Sequence, residues 1–200
     1  PFLIRRLTRV LTVSESSKKD IVEYAGVPEG RVTVTPLAAD SQVYFPRSAA
    51  DCVKRMGPEY DIRPPYILYI SRIEHPGKNH AGLVRAFLIL KERADIPHQL
   101  VLAGSDWDRA EEVHRAAEES AYTDDIVFTG FAPNSHLPDL YCGAELFVFP
   151  SLYEGFGLPV LEAMTCGVPV ACSNISSIPE VIGDTGILFD PYDDGAIADA

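Results

Sequence analysis

The chain has 200 residues, enough for one sizeable domain or for one domain and part of another. Hydrophobic residues make up 46% and charged residues 23%, which places the chain among globular folds and excludes a disordered tail. A formal net charge of −12 argues against a nucleic-acid partner, and no apolar run approaches the roughly 20 residues that span a bilayer.

No signal peptide is visible, and the chain opens at Pro1 rather than at a methionine and stops at Ala200 inside an expected helix. It is therefore read as a piece of a longer protein. The four cysteines, Cys52, Cys142, Cys166 and Cys172, form no CxxC pair and no ligand cluster with the five histidines. Buried free thiols in a reducing cytosol are the expectation. His75, His80, His98, His114 and His136 lack spacing for a metal site or a triad and are read as surface or loop residues. Arg5, Arg6, Arg9, Lys18 and Lys19 form a local basic cluster, read as a solvated face.

In chain order, RVLTVS (9–14) predicts a strand. Ser14 caps the following helix ESSKKDIVEYA, and Gly26 closes it in a left-handed conformation. RVTVT (31–35) alternates as a strand and runs into Pro36. A mixed segment with Pro and turn residues follows, and a domain boundary is placed near Asp40, giving units 1–40 and 41–200. Beyond it YILYIS (66–71) is an apolar strand, and NHAGLVRAFLILKERA is a helix with Leu83, Val84, Phe87 and Leu90 on one side. Further short strands are expected at 99–104, 126–130, 145–150, 168–172 and 186–190, with helices between nearly all of them. Strands this apolar, alternating with helices, predict an α/β fold with a Rossmann-like, doubly wound parallel sheet. In such sheets ligands bind beyond the carboxyl ends of the strands, so chemistry is expected just after Ser71, Gly104, Gly130 and Pro150.

Two of those places carry distinctive clusters. In SRIEHPGKNH (71–80) a Pro-Gly turn can fold Arg72 and Lys78 together, and a cation pair at a strand end suits a diphosphate. Two exposed basic residues in a polar loop are the bland alternative. In SLYEGFGLPVLEAMTCG (151–167), Gly155 and Gly157 loosen a turn into a helix, and Pro159 fits its first turn. The amides of Gly155, Phe156, Gly157 and Leu158 would gather at the positive end of that helix. Glu154 and Glu162 bracket the turn without touching, so each can meet a different end of one elongated ligand, with phosphates between. A nucleoside diphosphate-sugar has that shape, with hydroxyls at both ends and a charged middle. The alternative is a loop acid and a helix acid that simply face solvent.

E-G-F-G-L-P-V-L-E, Glu154 to Glu162, resembles the E-x7-E signature of retaining nucleotide-sugar glycosyltransferases of the GT-B fold, family four type, also described as glycosyl transferases group 1. SRIEHPGKN is similar to their donor-phosphate loop, and VFTGF and GVPVACSNISSIPEVIGDTGILFDP fit the flanking segments. VSESSKKDIVEYAGVPEGRVTVTPLAAD resembles the end of their first domain and the hinge, so the likeness covers nearly the whole chain. The resemblance implies that the chain is the C-terminal, donor-binding half of a GT-B enzyme with the tail of the acceptor half attached. Arg72 and Lys78 would bind the diphosphate and stabilise the departing charge, Glu154 would contact the sugar, and Glu162 the ribose. Backbone from Gly155 through Leu158 would hold phosphate and sugar oxygens, and Phe131 would lie near the base, contacting it through its main chain. A hexose would move, with retention and no required metal or other cofactor, from GDP-mannose as first choice or UDP-glucose as second. The acceptor would be a saccharide or a lipid-linked one, met through the half that precedes Pro1. The setting would be cytoplasmic polysaccharide synthesis, with any membrane contact made by that other half. The piece by itself is expected to bind donor without turning it over.

Rival readings leave their own marks. Asp106-Trp107-Asp108 spells a D-x-D metal motif, but the acids are read as the start of a helix, where they favour the dipole. Val160 stands where a dinucleotide fingerprint needs its third glycine, and no GxSxG elbow is present. A sugar-nucleotide epimerase of similar fold and a non-catalytic nucleotide-sugar-binding scaffold module remain the alternatives.

Overall fold

The computed structural model describes residues 3–200. A small parallel pair, β1 (Val10–Thr12) and β2 (Val32–Val34), is bridged by helix α1 (Glu15–Ala25). Val10, Val27 and Val32 form its own buried cluster. The local signals act as expected: the Ser14 side chain accepts from the Ser17 amide, and Gly26 closes the helix at φ 64°.

The rest builds around a six-stranded parallel sheet. Its strands are β3 (Tyr66–Ile70), β4 (Gln99–Ala103), β5 (Ile126–Gly130), β6 (Leu146–Phe149), β7 (Val170–Ser173) and β8 (Ile187–Phe189). They lie in the order β5-β4-β3-β6-β7-β8. Helices α3 (His80–Ala94), α4 (Ala110–Glu118), α5 (Leu137–Gly143), α6 (Leu158–Thr165), α7 (Ile178–Ile182) and α8 (Asp194–Asp199) connect or follow these strands. Tyr69, Leu68, Leu100, Leu102, Phe147 and Phe149 are fully buried, which explains why these strands read as unbroken apolar runs. All four cysteines are buried and free.

The sheet turns back on itself between β3 and β6. From β3 the chain runs outward through β4 and β5, then returns to pair β6 against the other side of β3, with Ile67 opposite Leu146 and Leu68 opposite Phe147. That reversal is the crevice where doubly wound sheets bind ligands.

One helix differs from expectation. The last residues of the mixed segment and the stretch after it, to which the sequence reading gives no element, form α2 (Ala49–Tyr60), capped by Ser48 and ended by Asp61 at φ 56°. Gly57 and Pro58 in its last turn mask the periodicity. α2 docks on α5 through a buried carboxylate: Arg55 Nε and Nη2 donate to Asp139 at 2.6 and 2.9 Å, and Arg47 Nη1 donates at 2.7 Å. Those bonds hold the Asp139 carboxyl well below the usual carboxylate range. Among the described residues no helix is long and apolar enough to cross a membrane.

Candidate functional site at the sheet reversal

The two loops that leave β3 and β6 are the ones carrying the charged motifs, and the strand order sets them side by side. Leu152 N donates to Gly77 O at 2.9 Å, tying the loops together. The Tyr69 hydroxyl, at the end of β3, donates to Lys78 O at 2.8 Å and lies 3.1 Å from Ser151 Oγ. Across this seam Lys78 Nζ stands 2.6 Å from Glu154 Oε1, with both side chains more than four-fifths buried. Paired charges so shielded interact more strongly than a surface pair would.

Arg72 is placed differently. Its guanidinium lies 3.3 Å from Glu74 and 5.1 Å from the centroid of Trp107, whose ring supports it from below. Trp107 reaches this position because the loop after β4 adds a bridge to the loop after β3, with Trp107 N donating to Ile73 O at 2.9 Å. So each cation of the pair has its own carboxylate, Glu74 for Arg72 and Glu154 for Lys78. Trp107 is a site residue that the sequence does not mark, since the recognisable pattern there belongs to the flanking acids.

Those acids do not begin a helix. Asp106 and Asp108 stand ahead of α4 in a loop, Arg109 turns the chain at φ 55°, and Glu111 and Glu112 supply the first-turn charge. Asp106 Oδ1 is engaged by His114 Nε2 at 2.9 Å.

The turn into α6 is shaped by side chains from beyond β7. Ser176 Oγ donates to Glu154 O at 2.6 Å, and Ser177 Oγ lies within 2.9 Å of both Glu154 O and Phe156 O. With those carbonyls drawn away, the amides of Gly155, Phe156, Gly157 and Leu158 have no acceptor among the described residues. They sit at the positive end of α6, where an anion is favoured. Gly157 must be glycine: its φ is +106°, and a Cβ would lie 2.6 Å from Ile178 Cδ1.

Glu162 lies half-buried one turn into α6, with no ion-pair partner among the described residues. The Tyr141 hydroxyl donates to its Oε2 at 2.8 Å, and the Tyr44 hydroxyl, from the segment joining the two sheets, faces it. Burial raises the Glu162 carboxyl above its ordinary value, against the opposing pull of these two hydroxyls. Phe131 follows β5 at the carboxyl end of the sheet and is 72% exposed.

His80 corrects the expectation of surface histidines. It is fully buried at the start of α3, with Nε2 3.2 Å from Ser71 Oγ and Nδ1 3.3 Å from Glu74 O. It thus staples both ends of the Arg72 segment, and burial pushes its imidazole down to about 4, keeping it neutral. The other four histidines are partly exposed and face Glu112, Glu145, Asp106 and Glu59. The basic cluster near the start mostly ties down local structure: Arg5 and Arg9 donate to Ala25 O and Gly30 O, and Lys18 faces Glu15 and Glu29.

The sequence profile described as glycosyl transferases group 1 matches residues 58–200. The chain belongs to that family. Over 189 residues it is 41% identical to O-antigen chain mannosyltransferase B of Escherichia coli, covering 94% of this chain and 49% of that protein. The chain therefore spans about half the length of that relative. It superposes on the C-terminal domain of the group 1 family protein LpcC from Francisella tularensis with a TM-score of 0.70 and 26% identity, covering 81% of this chain and 85% of that one. HepE from Anabaena, solved in complex with UDP and glucose, matches with a TM-score of 0.85 at 22% identity, over 99% of this chain and 54% of that one. The doubly wound sheet is thus that of a GT-B C-terminal domain.

Proposed function

We propose that this chain is the donor half of a glycosyltransferase that moves a hexose from a nucleoside diphosphate-sugar to a saccharide or lipid-linked acceptor, with retention at the anomeric carbon. The observation that carries this reading is the Lys78–Glu154 pair at the sheet reversal, beside amides that have no acceptor among the described residues. An anionic diphosphate fits between the α6 N-terminus, Lys78 and Arg72. In this assignment the amides of Gly155 through Leu158 hold phosphate and sugar oxygens, and Glu154 meets the hydroxyls of the transferred sugar. Glu162 accepts from the ribose, and Phe131 lies at the base. Residues 1–40 are assigned to the end of the acceptor unit and residues 41–200 to the donor unit.

The chemistry assigned to the chain is stabilisation of a leaving group. As the bond from sugar to diphosphate breaks, negative charge grows on the departing phosphate, and Lys78, Arg72 and the helix amides stand ready without reorganising. This assignment uses no metal. GDP-mannose is the first choice of donor, supported by the identity to a mannosyltransferase, and UDP-glucose the second, supported by the fold shared with a protein that binds UDP and glucose.

Calorimetric titration of this chain with GDP, UDP, ADP and dTDP, chelator present, tests the reading. Saturable binding of GDP is the expected result. Arg72→Ala should weaken it at least ~10-fold, the effect of removing one charge-assisted hydrogen bond to phosphate. Silence with all four in a folded sample overturns the reading.

A further inference from the structure

The first turn of α1 is satisfied from far along the chain. A helix leaves its leading amides without internal acceptors. Here the Glu15 and Ser16 amides each donate to the Glu180 carboxylate at 2.7 Å, and the Ser17 amide donates to Ser14 Oγ at 3.0 Å. Glu180 sits on α7, immediately after the serines that hold the donor loop. It brings a negative charge to the positive end of α1, a favourable placement on charge as well as geometry.

The same turn also grips the donor loop directly. Ser14 Oγ donates to Gly155 O at 2.7 Å, and Ser17 Oγ donates to it at 3.1 Å. Two residues earlier, the Tyr153 hydroxyl donates to Asp20 on α1. The Gly155 carbonyl is thus held by hydroxyls of the small unit, while the Glu154 and Phe156 carbonyls are held by Ser176 and Ser177 of the large one. Farther along α1 the two units part: an open groove of about 790 Å³ lies between them, with Lys18, Ser176 and Glu180 on its walls. Among the described residues, hydrogen bonds at one helix end make this junction, and the small unit's apolar cluster stays separate from the large core.

We propose that Ser14, Ser17 and Glu180 are positioning residues, a polar clamp through which the small unit sets the orientation of the donor-loop amides. The proposal rests on the donor reading above, since it assigns to the clamp the job of aiming the Gly155–Leu158 amides at a diphosphate. Fixing a peptide carbonyl on one side fixes the N–H of the next residue on the other, because the peptide unit is planar. Holding the Gly155 carbonyl therefore holds the Phe156 amide. Because linkage is reciprocal, whatever factor the clamp adds to donor affinity, the donor must return to the clamp. Donor binding would then tighten the docking of the acceptor-side unit onto the donor unit.

Ser17→Ala is the cleanest probe, because Ser17 is not the helix cap and its hydroxyl touches only the Gly155 carbonyl in this clamp. Glu180→Gln is the second, leaving one amide acceptor in place of two. In this chain GDP affinity is expected to fall about fivefold to tenfold in each, the effect of removing one hydrogen bond to a rigid partner, and Ser17→Thr should restore it. Saturating GDP should slow amide exchange at Glu15 and Ser16 by a comparable factor. A second arm needs no nucleotide: in Glu180→Gln the backbone resonances of Phe156 and Gly157 should move. If wild-type chain binds GDP and the variants bind it equally well, the clamp is wrong while the donor reading stands. If no nucleotide binds, the donor reading falls, and unmoved Phe156 and Gly157 resonances would remove the clamp as well.

Discussion

Lys78 and Glu154 come from loops 76 residues apart in sequence, yet their charged atoms meet at 2.6 Å. The meeting is a product of strand order: β3 and β6 are neighbours only because the sheet reverses there. A lysine held this way is preorganised beside the amides of the α6 turn, which have no acceptor among the described residues. Removing Lys78 as Lys78→Met, or Arg72 as Arg72→Ala, should lower transfer by the full-length enzyme at least ~10²-fold, as for loss of one preorganised donor. Glu154→Ala should behave otherwise, leaving nucleoside diphosphate affinity within a factor of about three while sugar selectivity and turnover fall. Titrating each variant with both diphosphate and diphosphate-sugar separates the roles; equal losses for both ligands in Glu154→Ala would refute its assignment to the sugar.

Glu162 offers a pH signature. Burial raises its carboxyl, so it takes up a proton at a pH above the ordinary glutamate value, and once protonated it cannot accept from a ribose hydroxyl with full strength. Nucleotide affinity should therefore drop as pH falls through that raised value, and Glu162→Gln should bind more weakly, by about tenfold, with this part of the dependence gone. Affinity measured across pH in both proteins, subtracting the phosphate's own titration seen in the variant, provides the check. Parallel curves would mean that Glu162 does not meet the ligand.

Local signals carried much of this fold into the sequence. The buried strands read as apolar runs, and Ser14 and Gly26 announce the ends of α1 through chemistry confined to a few residues. The positions of the two charged loops were legible for the same reason, since both follow apolar strands. What stayed hidden depends on contacts between distant residues. Trp107 supports Arg72 only because a loop after β4 bridges one after β3, and Glu180 reaches α1 across 165 residues. His80 has no neighbour in sequence that marks it as buried; the turn of the loop over it does. In α2 a late Gly-Pro pair conceals a helix whose docking is made by Arg55 and Asp139, an ion pair with no period to read.

Gly104 should be intolerant of any side chain. It follows β4 at φ +154°, and a Cβ there would fall 1.8 Å from the Ser71 carbonyl oxygen, a backbone atom that cannot swing aside. Gly104→Ala should cost ~3 kcal/mol or more, the upper range of overpacking, read as a lower denaturant midpoint at unchanged slope. Gly30, with open space around it, is the control and should shift the midpoint far less.

Acid should unfold the chain in two legs set by different groups. His80 is neutral when folded, with its imidazole pushed down to about 4 from an ordinary 6.5, so the unfolded chain binds the extra proton between those values. Stability contributed by keeping His80 neutral is complete above about pH 6.5 and is lost as pH falls toward 4, by roughly 3 kcal/mol if the folded site never relaxes. Asp139 acts lower. Its folded value is depressed by Arg55 and Arg47, so its contribution is present above the ordinary carboxylate range and is lost only as pH falls below it. His80→Gln should flatten the first leg of a stability-against-pH curve and leave the second. Asp139→Asn should lower stability at neutral pH and flatten the second leg alone. A first leg unchanged in His80→Gln would mean that His80 is not the group being protonated.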